Sequence, residues 1–502
     1  MALKNKKKQT GLPALLFGAV CSLLALLPTD VAVAKEKDPI VLRVCNWEEY
    51  IDEGDWDADE RIDLDNGTSI LGINSMVEDF EKWYYENYGV KVQVEYSCAG
   101  TNEELYNQLT IGDTFDLICP SEYMIMKLLS EDMLLPFSDD FYDTTKDKNY
   151  YAKGVSPYID EVFHSNEING EPWYRYAACY MWGITGTLYD PSHISYEDAS
   201  TMELYNNPKY ASRFTLKDNV RDTFFVTLGI KDAQKLLSDD FRQQPDYRNQ
   251  LAHIMNDVTP ENINDAEVLL QDMVQKVYSL ETDSGKADIV SGKVYASYQW
   301  SGDAIYAMDQ AEEDDVYLDF AVPKEVTNLW FDGWVMLKKG IGDDAAKQQA
   351  AEAFVNFLSR PDNAVRNMYY IGYTSAIAGG DDDTIFEYLR WTYEDEEGEA
   401  SYPLGYFFTG NNSDETYMIS CNEEDFRRQL GAQYPSLEVM NRSAIMGFYD
   451  ATESQNINQM WINVRCFNLL DVPTPLWATL GILLVFLIIL LLYKKLKSNH
   501  RP

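Results

Sequence analysis

The sequence predicts an α/β fold organised in two lobes. The chain has 502 residues, which is too long for one small core and favours two units of ordinary size. Its hydrophobic content of 46% is enough for globular folding and argues against general disorder. From residue 40 to about residue 130, short apolar runs alternate with capped helical stretches. This alternation is typical of a mostly parallel sheet with helices on its faces.

Three strands and two helices are predicted in the first part of the chain. The strands are Ile40–Cys45, Val90–Tyr96 and Phe115–Cys119. The helices begin at the capping boxes Ser75–Glu78 and Thr101–Glu104. Ligands of parallel sheets bind beyond the carboxyl ends of the strands. The candidate ligand contacts at that edge are Trp47, Tyr50, Ser121 and Tyr123.

A second α/β region follows the aromatic strand centre Trp182–Gly186. Phe214–Asp218 is predicted as a strand, and Asn219–Asp222 opens the next helix. The strand Val294–Tyr298 leads into Trp300, which precedes a further helix. The second region therefore supplies the elements of a second lobe.

Two indoles and one carboxylate stand close together in the stretch Asn328–Trp334. Side chains alternate in an extended segment, so Trp330, Asp332 and Trp334 are expected on one face. Indole faces attract organic cations, and a carboxylate pairs with an ammonium group. Taken alone, the stretch fits an ordinary strand with core tryptophans equally well.

Two acidic segments interrupt this pattern. Residues 52–67 are rich in Asp, but an EF-hand would need Gly and Glu where Glu60 and Asn66 stand. A solvated loop is therefore favoured over a calcium site. Residues 379–430 are also acidic, and we predict an irregular, solvated surface insertion there.

The charge balance excludes one broad class of function. The chain has 82 acidic against 41 basic residues, which gives a formal net charge of −41. A protein that binds nucleic acid needs a basic surface, so we expect no nucleic-acid partner. The acidity attracts cations in general, without identifying a ligand.

Both ends of the chain carry membrane-directed signals. Residues 1–34 combine a basic start, an apolar run and the small-residue cleavage site Ala32–Ala34, which predicts a secretory signal peptide. Residues 476–493 form an uncharged apolar run, at the lower limit for a transmembrane helix, and the basic tail 494–502 predicts a cytoplasmic end. We expect an extracytoplasmic protein, periplasmic or at the cell surface, anchored in the cytoplasmic membrane by its C-terminal helix.

The cysteines form no recognisable metal site. The chain has 7 cysteines, widely spaced and without a CxxC pair. Cys21 suggests a lipoprotein signal as an alternative, which Val20 disfavours because a small residue is wanted there. We predict neither a metal nor a cofactor, although export permits disulfides that the sequence does not assign.

Taken together, these segments resemble the polyamine-binding (spermidine/putrescine) substrate-binding proteins of ABC importers. The resemblance covers roughly residues 40–376. The segments that carry it, in the family's order, are Asn46–Tyr50, Phe115–Tyr123, Trp182–Gly186, Asp218–Asp222, Trp300–Asp303, Trp330–Asp332, Phe357–Pro361 and Ile371–Tyr373. It implies a periplasmic-binding-protein-like fold of type II, in which two lobes close about a hinge on a ligand in the cleft between them. The implied lobes are residues 38–182 with 333–376, and residues 183–332 with 377–466.

The resemblance also implies the ligand contacts. They are Trp47, Glu49, Tyr50, Ser121, Tyr123, Asp218, Asp222, Trp300, Trp330, Asp332 and Tyr373. Asn219 stands where the family usually has a carboxylate, and Asp222 is shorter than the common Glu, so putrescine and spermidine both stay open as ligands. Trp334 matches no pocket position and is expected in the core.

These residue types suit a polyamine, a flexible alkane with ammonium groups that needs aromatic faces and carboxylates. The resemblance implies separate permease and ATPase subunits of an ABC importer as partners. One alternative keeps the fold and binds another cationic metabolite. A second is an exported hydrolase that uses Asp332 and Asp222 as a carboxylate pair. The sequence shows neither GxSxG nor HExxH, so we predict that the protein is not an enzyme.

Overall fold

The computed structural model describes residues 38–282, 284–395 and 397–466, and one sheet of 12 strands runs through it. The strands along its main path follow one another in space as Ser279–Glu281, Phe214–Lys217, Ala296–Trp300, Ala177–Tyr189, Thr327–Leu337, Leu117–Ile118, Ile40–Trp47 and Val92–Ala99. Short strands pair beside this path at Leu134–Leu135, Asp319–Ala321, Thr374–Ser375 and Ser443–Ala444.

Two long strands, Ala177–Tyr189 and Thr327–Leu337, join the halves of the sheet, and we call them the crossing strands. They pair antiparallel with each other, with a bulge between Asp332 and Gly333. The C-terminal end of the first also pairs with the strand Ala296–Trp300, whereas the C-terminal end of the second pairs with strands of the other half. All residues of both strands are buried, which explains why their sequences are apolar runs without alternation.

The first half of the sheet is parallel and has the predicted order. Ile40–Trp47 pairs with Val92–Ala99 and with Leu117–Ile118. Its helices are Met76–Tyr88, Asn102–Ile111, Glu122–Ser130, Tyr150–Gly154, Pro157–Ser165, Lys338–Ile341, Ala345–Leu358 and Pro361–Ile371. The predicted capping box at Ser75 is confirmed, since its hydroxyl accepts from the Glu78 amide at 3.2 Å.

The second half repeats this parallel pattern. Phe214–Lys217 pairs with Ser279–Glu281 and with Ala296–Trp300. Its helices are Tyr196–Ala199, Val220–Lys231, Ala233–Leu236, Asp239–Arg242, Tyr247–Met255, Pro260–Val274, Ser284–Val290, Ser301–Glu313, Leu437–Asn441 and Ala451–Cys466. A separate hydrophobic core lies under this half.

The segment from residue 384 to residue 434 differs from the irregular, solvated insertion that its acidity predicts. It has regular elements at Thr384–Tyr393, Ala400–Pro403, Gly405–Phe408, Met418–Cys421 and Gln429–Gln433. Its aromatic side chains Phe386, Tyr402 and Phe407 are buried in the larger hydrophobic core, and Phe407 stacks on Trp182 at 5.7 Å. The acidic residues dominate the composition, but the aromatic residues decide the packing.

The acidic segment 52–67 holds no metal site. Asp52 is buried and accepts hydrogen bonds from the guanidinium of Arg366 and, at 3.0 Å, from the indole of Trp56. No group of His, Cys, Asp and Glu in the described parts of the chain is placed to hold a metal ion.

The remaining elements are short. The strands are Ile62–Asp63, Ser69–Ile70, Glu167–Ile168 and Glu171–Pro172, and the 3₁₀ turns are Ala58–Glu60, Trp173–Arg175, Met202–Asn206, Pro208–Tyr210 and Glu423–Arg427. Among the helices that the structure describes, none has the length and apolar character needed to cross a membrane. The predicted signal peptide 1–34, the predicted transmembrane helix 476–493 and the tail 494–502 lie outside the described residues.

Candidate functional site

The crossing strands place an indole and a carboxylate at the junction of the two halves. Trp330 pairs with Gly183, and its indole donates a hydrogen bond to the carbonyl of Ile184 at 3.1 Å. A Cβ on Gly183 would lie 2.6 Å from the Trp330 ring and 2.4 Å from the Ser301 hydroxyl. Only glycine therefore lets the indole lie flat against the neighbouring strand.

Asp332 is the central acidic group of the site. It is 7% exposed, and one of its oxygens, Oδ2, accepts a hydrogen bond from the Tyr50 hydroxyl at 2.8 Å. The other oxygen, Oδ1, is buried and has no hydrogen-bond partner among the described residues. Burial raises the pKa of Asp332 to about 6, although Ser121, Tyr50 and Trp47 act in the opposite direction. At neutral pH the group is a buried carboxylate with one oxygen available to a donor.

Aromatic rings surround this carboxylate. The ring of Tyr373 meets Tyr50 edge-on at 5.0 Å and Trp330 at 5.7 Å. Tyr50 in turn lies edge-on to Tyr180 at 5.6 Å. Tyr373 also covers Gly302, where a Cβ would lie 2.3 Å from the ring. The ring faces and edges form an apolar wall beside Asp332.

A second buried carboxylate, Asp303, lies at the far side of Tyr373. The Tyr373 hydroxyl donates to Asp303 Oδ1 at 3.0 Å. Lys217 donates to Oδ2 at 3.3 Å, and Lys286 donates to Oδ1 at 3.4 Å. Burial would raise the pKa of Asp303, but the two ammonium groups and the Tyr373 hydroxyl outweigh it and lower the pKa below its usual value.

Lys217 also occupies a face of Trp300. Its Nζ lies 4.1 Å from the centroid of the Trp300 ring, and its side chain is 1% exposed. The same ammonium donates to the carbonyl of Thr282 at 3.0 Å and lies 3.7 Å from Glu281 Oε1. An indole face that the sequence predicts for a ligand cation thus carries a cation of the protein itself.

Asp222 belongs to this second group. Its Oδ2 accepts a hydrogen bond from the Asn219 side chain at 2.5 Å, and its backbone amide donates back to Asn219 at 2.8 Å. Burial raises the pKa of Asp222, and Asn219, Lys217 and Trp300 oppose that rise. Asn219 is therefore the N-cap of the helix Val220–Lys231.

Arg221 connects the two halves beside the site. Its guanidinium lies between the rings of Tyr123, at 4.3 Å, and Tyr449, at 3.8 Å. Tyr123 also donates to Glu103 Oε1 at 3.3 Å. Since Tyr123 belongs to the first half and Arg221 to the second, this stacking holds the halves together.

The predicted contacts divide into those that the structure brings together and those that it does not. The residues at or next to Asp332 are Trp47, Tyr50, Ser121, Trp330 and Tyr373, and those of the second group are Asp222 and Trp300. Asp218 faces away and forms an ion pair with Arg465 of the terminal helix. Glu49 is exposed at a left-handed φ of 53°. Trp334 is buried against Phe354 at 5.5 Å, which confirms its predicted place in the core.

Sequence reasoning did not single out three charged residues at the site. Asp303 and Lys217 form the buried pair just described. Glu122 accepts from the Phe331 amide at 3.0 Å, and burial raises its pKa to about 8. Asp303 and Glu122 stand inside segments that carry the family resemblance, which is the signal that points to them; Lys217 lies one residue before such a segment.

The chain is similar to known bacterial solute-binding proteins. Residues 75–386 match the family model described as "Bacterial extracellular solute-binding protein". The spermidine/putrescine-binding periplasmic protein of Escherichia coli (strain K12) is 25% identical over 355 residues, which is 69% of this chain and 80% of that protein. The putrescine-binding periplasmic protein PotF of the same organism is 23% identical over 388 residues, which is 75% of this chain and 86% of that protein.

Solved structures show the same architecture. A putative spermidine/putrescine ABC transporter protein from Listeria monocytogenes superimposes with a TM-score of 0.57 at 19% identity. The substrate-binding protein PotD from Streptococcus pneumoniae superimposes with a TM-score of 0.53, also at 19% identity. Each covers 85% of this chain and 99% of its own. The chain therefore has the two-lobed α/β fold of periplasmic binding proteins, and the two halves of its sheet are the two lobes.

Proposed function

We propose that this chain, which belongs to the bacterial extracellular solute-binding protein family, captures a polyamine between its lobes and delivers it to an ABC importer. The observation that carries the proposal is Asp332, a buried carboxylate with one unpartnered oxygen beside three aromatic rings. A buried ionised group without a counter-charge is unfavourable unless a ligand supplies one. An ammonium group matches that requirement.

The contacts at Asp332 favour an ammonium ligand. A charge-assisted hydrogen bond to Asp332 contributes about 1.5–3 kcal/mol, and a cation–π contact contributes about 0.5–2 kcal/mol. The rings of Tyr50, Trp330 and Tyr373 also offer apolar surface to the methylene groups of the ligand. The names of the two Escherichia coli relatives, one for spermidine and putrescine and one for putrescine, support a ligand of this class.

Entry of the ligand requires the lobes to separate. Trp330 and Asp332 are almost completely buried, and Arg221 of one lobe is stacked on Tyr123 of the other. We propose that the lobes open about the crossing strands and close on the ligand, with the Arg221–Tyr123 contact formed in the closed state. The predicted contacts Glu49 and Asp218 lie apart from the buried cluster, so the proposal does not depend on them.

Family membership also indicates the type of activity and the cellular location of the chain. The chain is a solute-binding component of transport and not an enzyme, and it works outside the cytoplasm. We propose separate permease and ATPase subunits as its partners. We further propose, from the sequence of residues 1–34 and 476–493 alone, that a signal peptide exports the chain and that a C-terminal helix anchors it in the cytoplasmic membrane.

Isothermal titration calorimetry with putrescine and spermidine tests the proposal on the purified full-length chain. We expect Asp332→Asn to weaken amine binding by about a hundredfold, because the exchange removes the charge and leaves the shape. Asp240→Asn, at an exposed position on the helix Asp239–Arg242, is the matched control and is expected to bind like the wild type. No binding of either amine at millimolar concentration would refute the proposed function.

A further inference from the structure

The two ends of the aromatic cluster differ in the charge that they leave for a ligand. Asp332 forms no ion pair with any described lysine or arginine, and its Oδ1 has no partner within the described parts of the chain. Asp303, on the other side of Tyr373, already binds the ammonium groups of Lys217 and Lys286. Asp332 therefore offers a carboxylate without a counter-charge, whereas Asp303 already has two counter-charges from the protein.

Lys217 has the contacts that a ligand ammonium would make. Its Nζ lies on the Trp300 face at 4.1 Å, donates to Asp303 at 3.3 Å and donates to the carbonyl of Thr282 at 3.0 Å. An aromatic face, a carboxylate and a carbonyl are the groups that hold an alkylammonium ion in a binding site. The four-carbon side chain of lysine is itself an alkylammonium.

We propose that Lys217 is a specificity-determining residue that fills the second cation site of the cleft with a tethered ammonium. The proposal rests on the proposed function. It narrows the ligand to a short amine that is held by one ammonium group, at Asp332. A longer polyamine that brings a second ammonium to Trp300 meets Lys217 there, and like charges at that distance repel.

A second ammonium on the ligand then adds little affinity in the wild type. We compare n-butylamine, putrescine and spermidine on the full-length chain by isothermal titration calorimetry. We expect putrescine and spermidine to bind within about tenfold of n-butylamine, since the one strong ion pair is common to all three. Tighter binding of either polyamine by more than about tenfold would overturn the role of Lys217 and leave the proposed function intact. Absence of binding by all three amines would overturn the proposed function, and this inference with it.

Removal of the tethered ammonium opens the second site. We expect Lys217→Met to increase the affinity for putrescine or spermidine by about tenfold or more relative to n-butylamine, because the Trp300 face and Asp303 Oδ2 lose the lysine ammonium while Lys286 stays on Oδ1. Lys209→Met is the matched control. Lys209 also pairs with a carboxylate, Asp198 at 3.0 Å, and lies 4.6 Å from a ring centroid, that of Tyr210, but its side chain is 63% exposed.

A second variant keeps the test valid if Lys217→Met alone does not fold. Lys217→Met leaves Glu281 and Asp303 buried near each other, so Lys217→Met combined with Glu281→Gln removes one of these charges while keeping Asp303. An unchanged ratio of polyamine to n-butylamine affinity in a folded Lys217→Met or double variant would overturn the inference. If neither variant folds, the three amines on the wild type decide it alone.

Discussion

The two buried carboxylates on either side of Tyr373 have nearly the same exposure and opposite electrostatics. Asp332 is 7% exposed and Asp303 is 6% exposed. Burial raises the pKa of Asp332 to about 6, whereas two lysines lower the pKa of Asp303. The difference teaches that burial alone does not define a binding group. A carboxylate that lacks an internal counter-charge is available to a cationic ligand, and one that has it contributes to the fold.

The largest expected effect follows from removing the charge of Asp303, the carboxylate that has internal counter-charges. Asp303→Asn leaves Lys217 and Lys286 without their shared carboxylate, and we expect it to lower the free energy of unfolding by about 3–5 kcal/mol. Urea denaturation followed by tryptophan fluorescence measures this change. Asp198→Asn, which removes a carboxylate from the exposed Lys209, is expected to cost about 1 kcal/mol or less. Equal losses in the two variants would contradict the comparison.

The same substitution at Asp332, which has no internal counter-charge, should change the free energy of unfolding in the opposite direction. Because the folded-state pKa of Asp332 lies above its ordinary value, the ligand-free protein loses stability as the pH rises from about 4 to about 6, and the full loss persists at higher pH. We expect Asp332→Asn to raise the free energy of unfolding at pH 8 by about 1–3 kcal/mol, while it weakens amine binding by about a hundredfold. At about pH 3, where the carboxyl group is largely protonated in both the folded and the unfolded state, this gain should be small. A loss of stability at pH 8 would show that Asp332 already has a counter-charge.

Amine binding should depend on pH in a direction fixed by Asp332. The group must be ionised to pair with an ammonium, so affinity is expected to be constant well above pH 6 and to fall by about tenfold per pH unit below it. Calorimetric titrations of n-butylamine from roughly pH 4.5 to roughly pH 8.5, on both sides of that pKa, measure the profile. Asp240→Asn should keep the same profile. Affinity that does not change across this range would contradict the assignment of Asp332 as the ammonium-binding group.

The smallest expected effect concerns the hydroxyl group on Asp332. Tyr50→Phe removes the 2.8 Å hydrogen bond and should raise the pKa of Asp332 further, with a loss of about 0.5–1.5 kcal/mol in amine binding at neutral pH. Its counterpart is Tyr373→Phe, which removes the hydrogen bond to Asp303 and keeps the ring. We expect that variant to affect amine affinity less, because Asp303 retains its two lysines. A larger loss in Tyr373→Phe would reverse the ranking of the two ends.

Local sequence patterns predict the α/β order, the helix caps and the pairing of Trp330 with Asp332 on one strand. Ser75 and Thr101 cap helices as the sequence predicts, because capping depends on residues only three positions apart. The contact between Lys217 and Asp303 joins residues 86 apart, and no periodicity of either segment encodes it. The prediction of an irregular segment after residue 379 is wrong, because acidic surface residues dominate its composition while a few buried aromatic residues, such as Phe407 and Tyr434, determine its packing.

The crossing strands also have a consequence for how the chain folds. Trp330 hydrogen-bonds to Ile184, a residue 146 positions away, and the two residues belong to crossing strands that pair directly with each other. Closing so long a loop costs chain entropy before the pairing contributes any stabilisation, and high contact order slows folding. Neither lobe can therefore complete its sheet from one continuous piece of chain. We expect the pairing of the crossing strands to be a late and slow step, in which both halves of the protein reach the native state together.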